Sequence, residues 1–114
     1  MLFRSAALAR VALGQTQAAR QAMQEVLLAY RNSGASADEV DALREFSDAF
    51  ARVGDTRTAL DLYHQERQLS AAIMAANRDT ALAELRQRFD REAQQKQLQQ
   101  LTLASTLQIG RAHV

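Results

Sequence analysis

The sequence predicts an all-α fold, and three observations carry that prediction. Proline is absent and alanine, leucine, glutamine and arginine, all good helix formers, dominate. Apolar residues recur every three or four positions over long stretches, which is the spacing of one helical face. Glycine occurs only four times, and three of those glycines fall evenly at 14, 34 and 54. Glycine just past a helix end supplies the left-handed conformation that stops a helix at little cost.

Composition narrows the function classes. A chain of 114 residues is enough for one small domain. Fourteen basic side chains against 13 acidic ones leave a net charge of +1. That balance gives no ground for nucleic acid or an anionic membrane as partner. With no cysteine there is no disulfide, thiolate metal site or redox switch to expect. No apolar run approaches the ~20 residues that span a bilayer. The opening MLFRSAALARVALG is broken by Arg4 and Arg10 and reads as a helix rather than a signal peptide.

Taken in order, helix one is expected from Leu2 to Leu13, ahead of Gly14. Helix two is expected from Thr16 to Arg31, with Ala19, Met23, Val26, Leu27 and Tyr30 on one stripe. Ser36-Ala-Asp-Glu39 has the pattern of a capping box, opening helix three at Ala37 and carrying it to Val53. Asp38, Glu39 and Asp41 suit the positive end of that helix dipole. Leu43, Phe46, Ser47, Phe50 and Val53 form the face expected to be buried, while Asp41, Arg44, Asp48 and Arg52 form a second, charged stripe. Helix four is expected to start near Thr56 under an Asp55 or Thr56 cap, with Ala59, Leu62, Tyr63 and Leu69 inward.

From Asp55 to Ile109 no glycine or proline interrupts the chain. A single helix over 56–108 would reach about 80 Å. Such a rod is expected to turn or to project, and Asn77-Arg-Asp-Thr80 is the place where helix propensity dips. Beyond it the segment is polar and glutamine-rich, with a thin seam of Leu82, Leu85, Phe89, Leu98 and Leu101. A helix of this kind needs a partner. A capping helix over the preceding hairpin and a homodimer stalk both remain open. Arg86, Arg88 and Arg91 alternate with Glu84, Asp90 and Glu92, which reads as a solvated, salt-bridged face. The expected organisation is therefore a helical repeat region over 1–76, a long polar helix over 77–108 and a short tail over 109–114.

Self-similarity supports the repeat. Gly14-Gln-Thr-Gln-Ala-Ala19 aligns with Gly54-Asp-Thr-Arg-Thr-Ala59, an offset of 40 positions. Phe46, Ser47, Phe50, Gly54, Ala59 and Tyr63 set a small residue behind a bulky one, an aromatic, a glycine turn, then alanine and an aromatic. In these positions the chain resembles a tetratricopeptide repeat. In the first copy Leu13, Gly14, Ala19 and Met23 fit, and Arg10 stands where the aromatic would be. The 40-residue offset exceeds the ~34 residues usual for that family, a difference attributed to a longer Asn32–Ser36 connection. Leu85, Phe89, Asp90, Glu92, Leu98 and Leu101 resemble the helix that follows the repeats in bacterial signalling proteins with a diguanylate cyclase (GGDEF) or histidine kinase output domain.

The resemblance implies a protein–protein interaction module in signal transduction. Its ligand-facing positions are those held here by Asp41, Arg44, Asp48 and Arg52, facing a protein or peptide partner, and the C-terminal helix would relay binding to an output domain. It also implies the periplasmic side of a membrane-anchored receptor; otherwise a cytoplasmic site is expected. A purely structural oligomerisation module is the competing reading. No cofactor, metal or catalytic site is expected in these residues, for there is no phosphate loop, His-Glu-x-x-His or spaced histidine pair. His64, next to Tyr63, is expected to be partly exposed and structural.

The chain ends Ile109-Gly-Arg-Ala-His-Val114. Those six residues equal the translation of a common short-read sequencing adapter, in which a stop codon comes next. They are expected to be foreign to the fold, with the native frame continuing past Gln108. Sequencing the encoding DNA is expected to show ATC GGA AGA GCA CAC GTC over these codons; other codons would remove the inference.

Overall fold

The structure is a computed structural model that describes residues 2–112, and the side chains of residues 3–110. Met1, His113 and Val114 lie outside the described residues, and with them the end of the expected tail. Four helices follow in order: α1 (Leu2–Ala12), α2 (Thr16–Asn32), α3 (Ser36–Arg52) and α4 (Thr56–Ala112). The described residues contain no strand.

Glycine ends the first three helices in the same way. Gly14, Gly34 and Gly54 have φ of 77, 72 and 84°. In each turn the glycine N–H donates to the carbonyl three residues back, Val11, Arg31 and Ala51. The next residue reaches one step further back, Gln15 to Arg10, Ala35 to Tyr30 and Asp55 to Phe50, at 2.9–3.0 Å. This is the Schellman closure, which satisfies carbonyls that a helix end leaves open. In each case the next helix starts two residues after the glycine, so all three connections are equally short. The 40-residue offset therefore comes from long helices, since α2 and α3 have 17 residues each. The connection around Gly34 is not extended, contrary to expectation.

The expected capping box is replaced by another arrangement. Ala35 precedes α3 and makes no side-chain cap, and Ser36 is already helical. The Schellman turn brings α3 in one residue early, and Glu39 turns inward to accept from Arg31 Nη2 at 3.2 Å. At α4 the aspartate cap does form, with Asp55 Oδ1 accepting from the Thr58 N–H at 3.2 Å.

The chain divides into two units, Met1–Met74 and Ala75–Val114. The first holds the core. Phe46, Phe50, Leu43, Val11 and Val26 are the largest side chains fully withdrawn from water. Met23, Leu27 and Leu62 pack around them, with Ala7, Ala19, Ala22, Ala42 and Ala59 as small residues that let the helices approach. Ser47 behind Phe46 donates its hydroxyl to the Ala59 carbonyl at 2.8 Å, tying α3 to α4. Two residues expected inward face water instead. Val53 is half-exposed because it caps α3 within the glycine turn. Tyr63 is 50% exposed and meets the His64 ring edge-on at 5.8 Å. Its counterpart at the 40-residue offset, Met23, is buried in the core cluster, whereas nothing among the described residues covers Tyr63 in the same way.

Helix α4 is unbroken through Asn77–Thr80, so of the two expected alternatives the turn is not the one adopted there. With no glycine or proline there, the propensity deficits of Asn, Asp and Thr, about 0.5–0.7 kcal/mol each, do not offset continued hydrogen bonding. Thr80 donates its hydroxyl back to the Ala76 carbonyl at 3.0 Å rather than marking a new start.

Replacing Phe46 with alanine is expected to cost about 3–5 kcal/mol, enough to unfold the first unit in urea titrations followed by circular dichroism. Gly34→Ala meets no atom within 4 Å of the added Cβ. Its cost is therefore conformational only, about 1 kcal/mol, and the two midpoints should separate accordingly.

Candidate functional site

Four ion pairs lock the first unit and decide which charged side chains are left for other work. Arg4 on α1 grips Glu45 on α3 with two nitrogens, at 2.6 and 3.0 Å. Its guanidinium also lies 6.0 Å from the centre of the Tyr30 ring. Arg20 on α2 donates to Asp55 and to the Thr58 hydroxyl at 2.9 and 2.8 Å. Arg31 holds Glu39, and Arg44 holds Glu66 at 2.9 Å.

Glu66 is only 7% exposed, and one of its carboxylate oxygens is held twice. Its Oε1 accepts from Arg44 on α3 and from the Ser70 hydroxyl one turn along α4. The hydrogen bond from Arg44 holds its pKa below the ordinary carboxyl value, against the opposing effect of burial. Asp55 is lowered likewise, first by the Thr58 hydroxyl and then by Arg20.

The expected charged stripe on α3 is thus divided. Asp41, Arg44, Asp48 and Arg52 are all exposed. Arg44, however, is engaged by Glu66, so it serves the fold. Asp48 and Arg52 line a groove of about 510 Å³ whose other walls include Leu8, Ala12, Ala49 and Val53. Neither enters an ion pair among the described residues. Asp41 does not line that groove. Glu45 does, already neutralised by Arg4.

No family model, curated protein or solved structure matches the chain. The geometry of the groove therefore has to speak through its residues. Sequence reasoning found Asp48 and Arg52 but missed Leu8, Ala12 and Glu45. Leu8 and Ala12 lie one turn apart on α1, and the 40-residue offset sets α1 beside α3, as the Arg4–Glu45 pair shows. Reading the two copies as neighbours would have found them.

Elsewhere the surface is solvated. Arg86, Arg88 and Arg91 are exposed. Among the described residues no ion pair joins them to Glu84, Asp90 or Glu92, so the expected salt bridges do not form. Leu82, Leu85, Phe89, Leu98 and Leu101 are exposed as well. Among the described residues, no helix is long and apolar enough to cross a membrane.

Glu66 gives a pH dependence with a definite sign. Its folded-state pKa lies below the ordinary 4.5, so the unfolded chain takes up the proton first. Its stabilisation is complete above about pH 5 and is lost as pH falls through the lowered value. Glu66→Gln should melt earlier than the parent at neutral pH. Thermal melts of the two should converge under acid.

Proposed function

We propose that the first unit is a protein–protein interaction module that takes a polypeptide segment into the groove beside α3. One observation carries the reading: Asp48 and Arg52 stand over an apolar floor of Leu8, Ala12, Ala49 and Val53, with no fold partner of their own among the described residues. A floor of this kind takes small apolar side chains, and an acid beside a base selects a segment carrying both charges. The even glycine turns and the resemblance of 46–63 to a tetratricopeptide repeat support the same role, since stacked helix pairs present such a surface.

In this reading the chain belongs to a bacterial signal-transduction protein. Capture in the groove is passed along α4 to an output domain, a diguanylate cyclase in preference to a histidine kinase. The support is the similarity of Leu85, Phe89, Asp90 and Glu92 to the helix preceding those domains. Oligomerisation through the exposed leucines of α4 is the second reading, favoured by their exposure.

Peptides selected from a displayed random library against the full chain provide the probe. They are expected to lose at least about tenfold in affinity, roughly 1.4 kcal/mol, against Asp48→Lys/Arg52→Glu, with the thermal melt unchanged. Peptides that bind parent and variant alike would remove the groove from the reading. Arg44 is unsuitable for this test, because reversing its charge breaks the link to Glu66.

A further inference from the structure

Residues of the second unit contribute nothing to the core cluster. Their large apolar side chains stand in water; Phe89 is 59% exposed and Leu103 62%. Most helical stability in proteins comes from tertiary packing of an amphipathic face, which this unit does not receive from the core. At 3.6 residues per turn, Leu82, Leu85, Phe89, Leu103 and Leu107 share one stripe, whereas Leu98 and Leu101 lie well to the other side. The expected seam is thus redrawn. In a heptad frame Leu82, Phe89, Lys96 and Leu103 take the a positions, and Leu85, Glu92, Gln99 and Thr106 the d positions.

This seam is apolar over Leu82, Leu85 and Phe89, charged at Glu92 and Lys96, and mixed beyond, where Leu103 stands between Gln99 and Thr106. Lys96, the chain's one lysine, sits four residues after Glu92. The charges distinguish the ways two such helices can pair. Parallel and in register, Lys96 would meet Lys96 and Glu92 would meet Glu92, like charges inside a seam. Antiparallel about a centre between the two, each Glu92 meets the other copy's Lys96. The same alignment sets Leu85 against Leu103, and it brings Leu82 beside Thr106 and Leu107. Arg86 and Arg88 then flank Gln100 and Thr102, so no like charges are brought together.

We propose that the 82–107 face is a docking surface for a second copy of this chain, paired antiparallel with two Glu92–Lys96 bridges at its centre. The surface concerns the second unit alone and does not rest on the groove beside α3.

The chain has no cysteine, so introduced single cysteines report the geometry. Leu85→Cys and Leu103→Cys are expected to stay unlinked on oxidation when separate, and to form a disulfide-joined pair when mixed. Sedimentation equilibrium of the full chain should give the mass of two copies. Lys96→Glu should weaken association about tenfold, and Glu92→Lys/Lys96→Glu, which swaps the charges, should restore it. A monomer at the concentrations of the cross-linking experiment would overturn the proposal. So would self-linking of Leu85→Cys, or a dissociation constant unmoved by Lys96→Glu.

Discussion

A backbone that must turn left-handed at three points governs the first unit. An L-residue with a side chain pays about 1 kcal/mol or more for that conformation, and glycine does not. Because Gly14, Gly34 and Gly54 adopt it, each helix closes its last carbonyls and the next helix can start two residues on. The helices are therefore held to set lengths, and the phase of every side chain on α2 and α3 follows. Phe46 and Phe50 reach the core only because α3 starts at Ser36, directly out of the second turn.

Packing and charge then share the work of holding the helices together. The core is small and alanine-rich, so the helices lie close and a serine hydroxyl can bridge α3 to α4. Around it the ion pairs join different helices: α1 to α3, α2 to the start of α4, α2 to α3, and α3 to α4. Two of their carboxylates, Glu39 and Glu66, are buried. A buried charge is costly unless paired, so these contacts are constraints on register as much as sources of stability. They also sort the surface, because the charged residues left without such a partner can take part in recognition.

Much of this was legible beforehand. Even glycines marked the helix ends, and three–four spacing picked out Leu43, Phe46 and Phe50. What was missed depends on neighbours that a linear pattern does not show. Glu39 fits a capping box by spacing, but its side chain turns to Arg31, eight residues earlier. Arg44 has the same periodicity as Asp48 and Arg52, yet Glu66 on another helix claims it. Tyr63 repeats the position of Met23, but what buries the first copy has no counterpart over the second. In the groove, the charged wall on α3 was visible and the apolar wall on α1 was not, because only the stacking of α1 on α3 creates it. At Asn77–Thr80 weak local preference was outweighed by the absence of any residue able to stop a helix.

The sameness of the three glycine turns has an evolutionary corollary. A genetic duplication or deletion of one helix pair would join at a glycine whose local geometry already fits both sides. Such a change would need no new junction to arise by mutation.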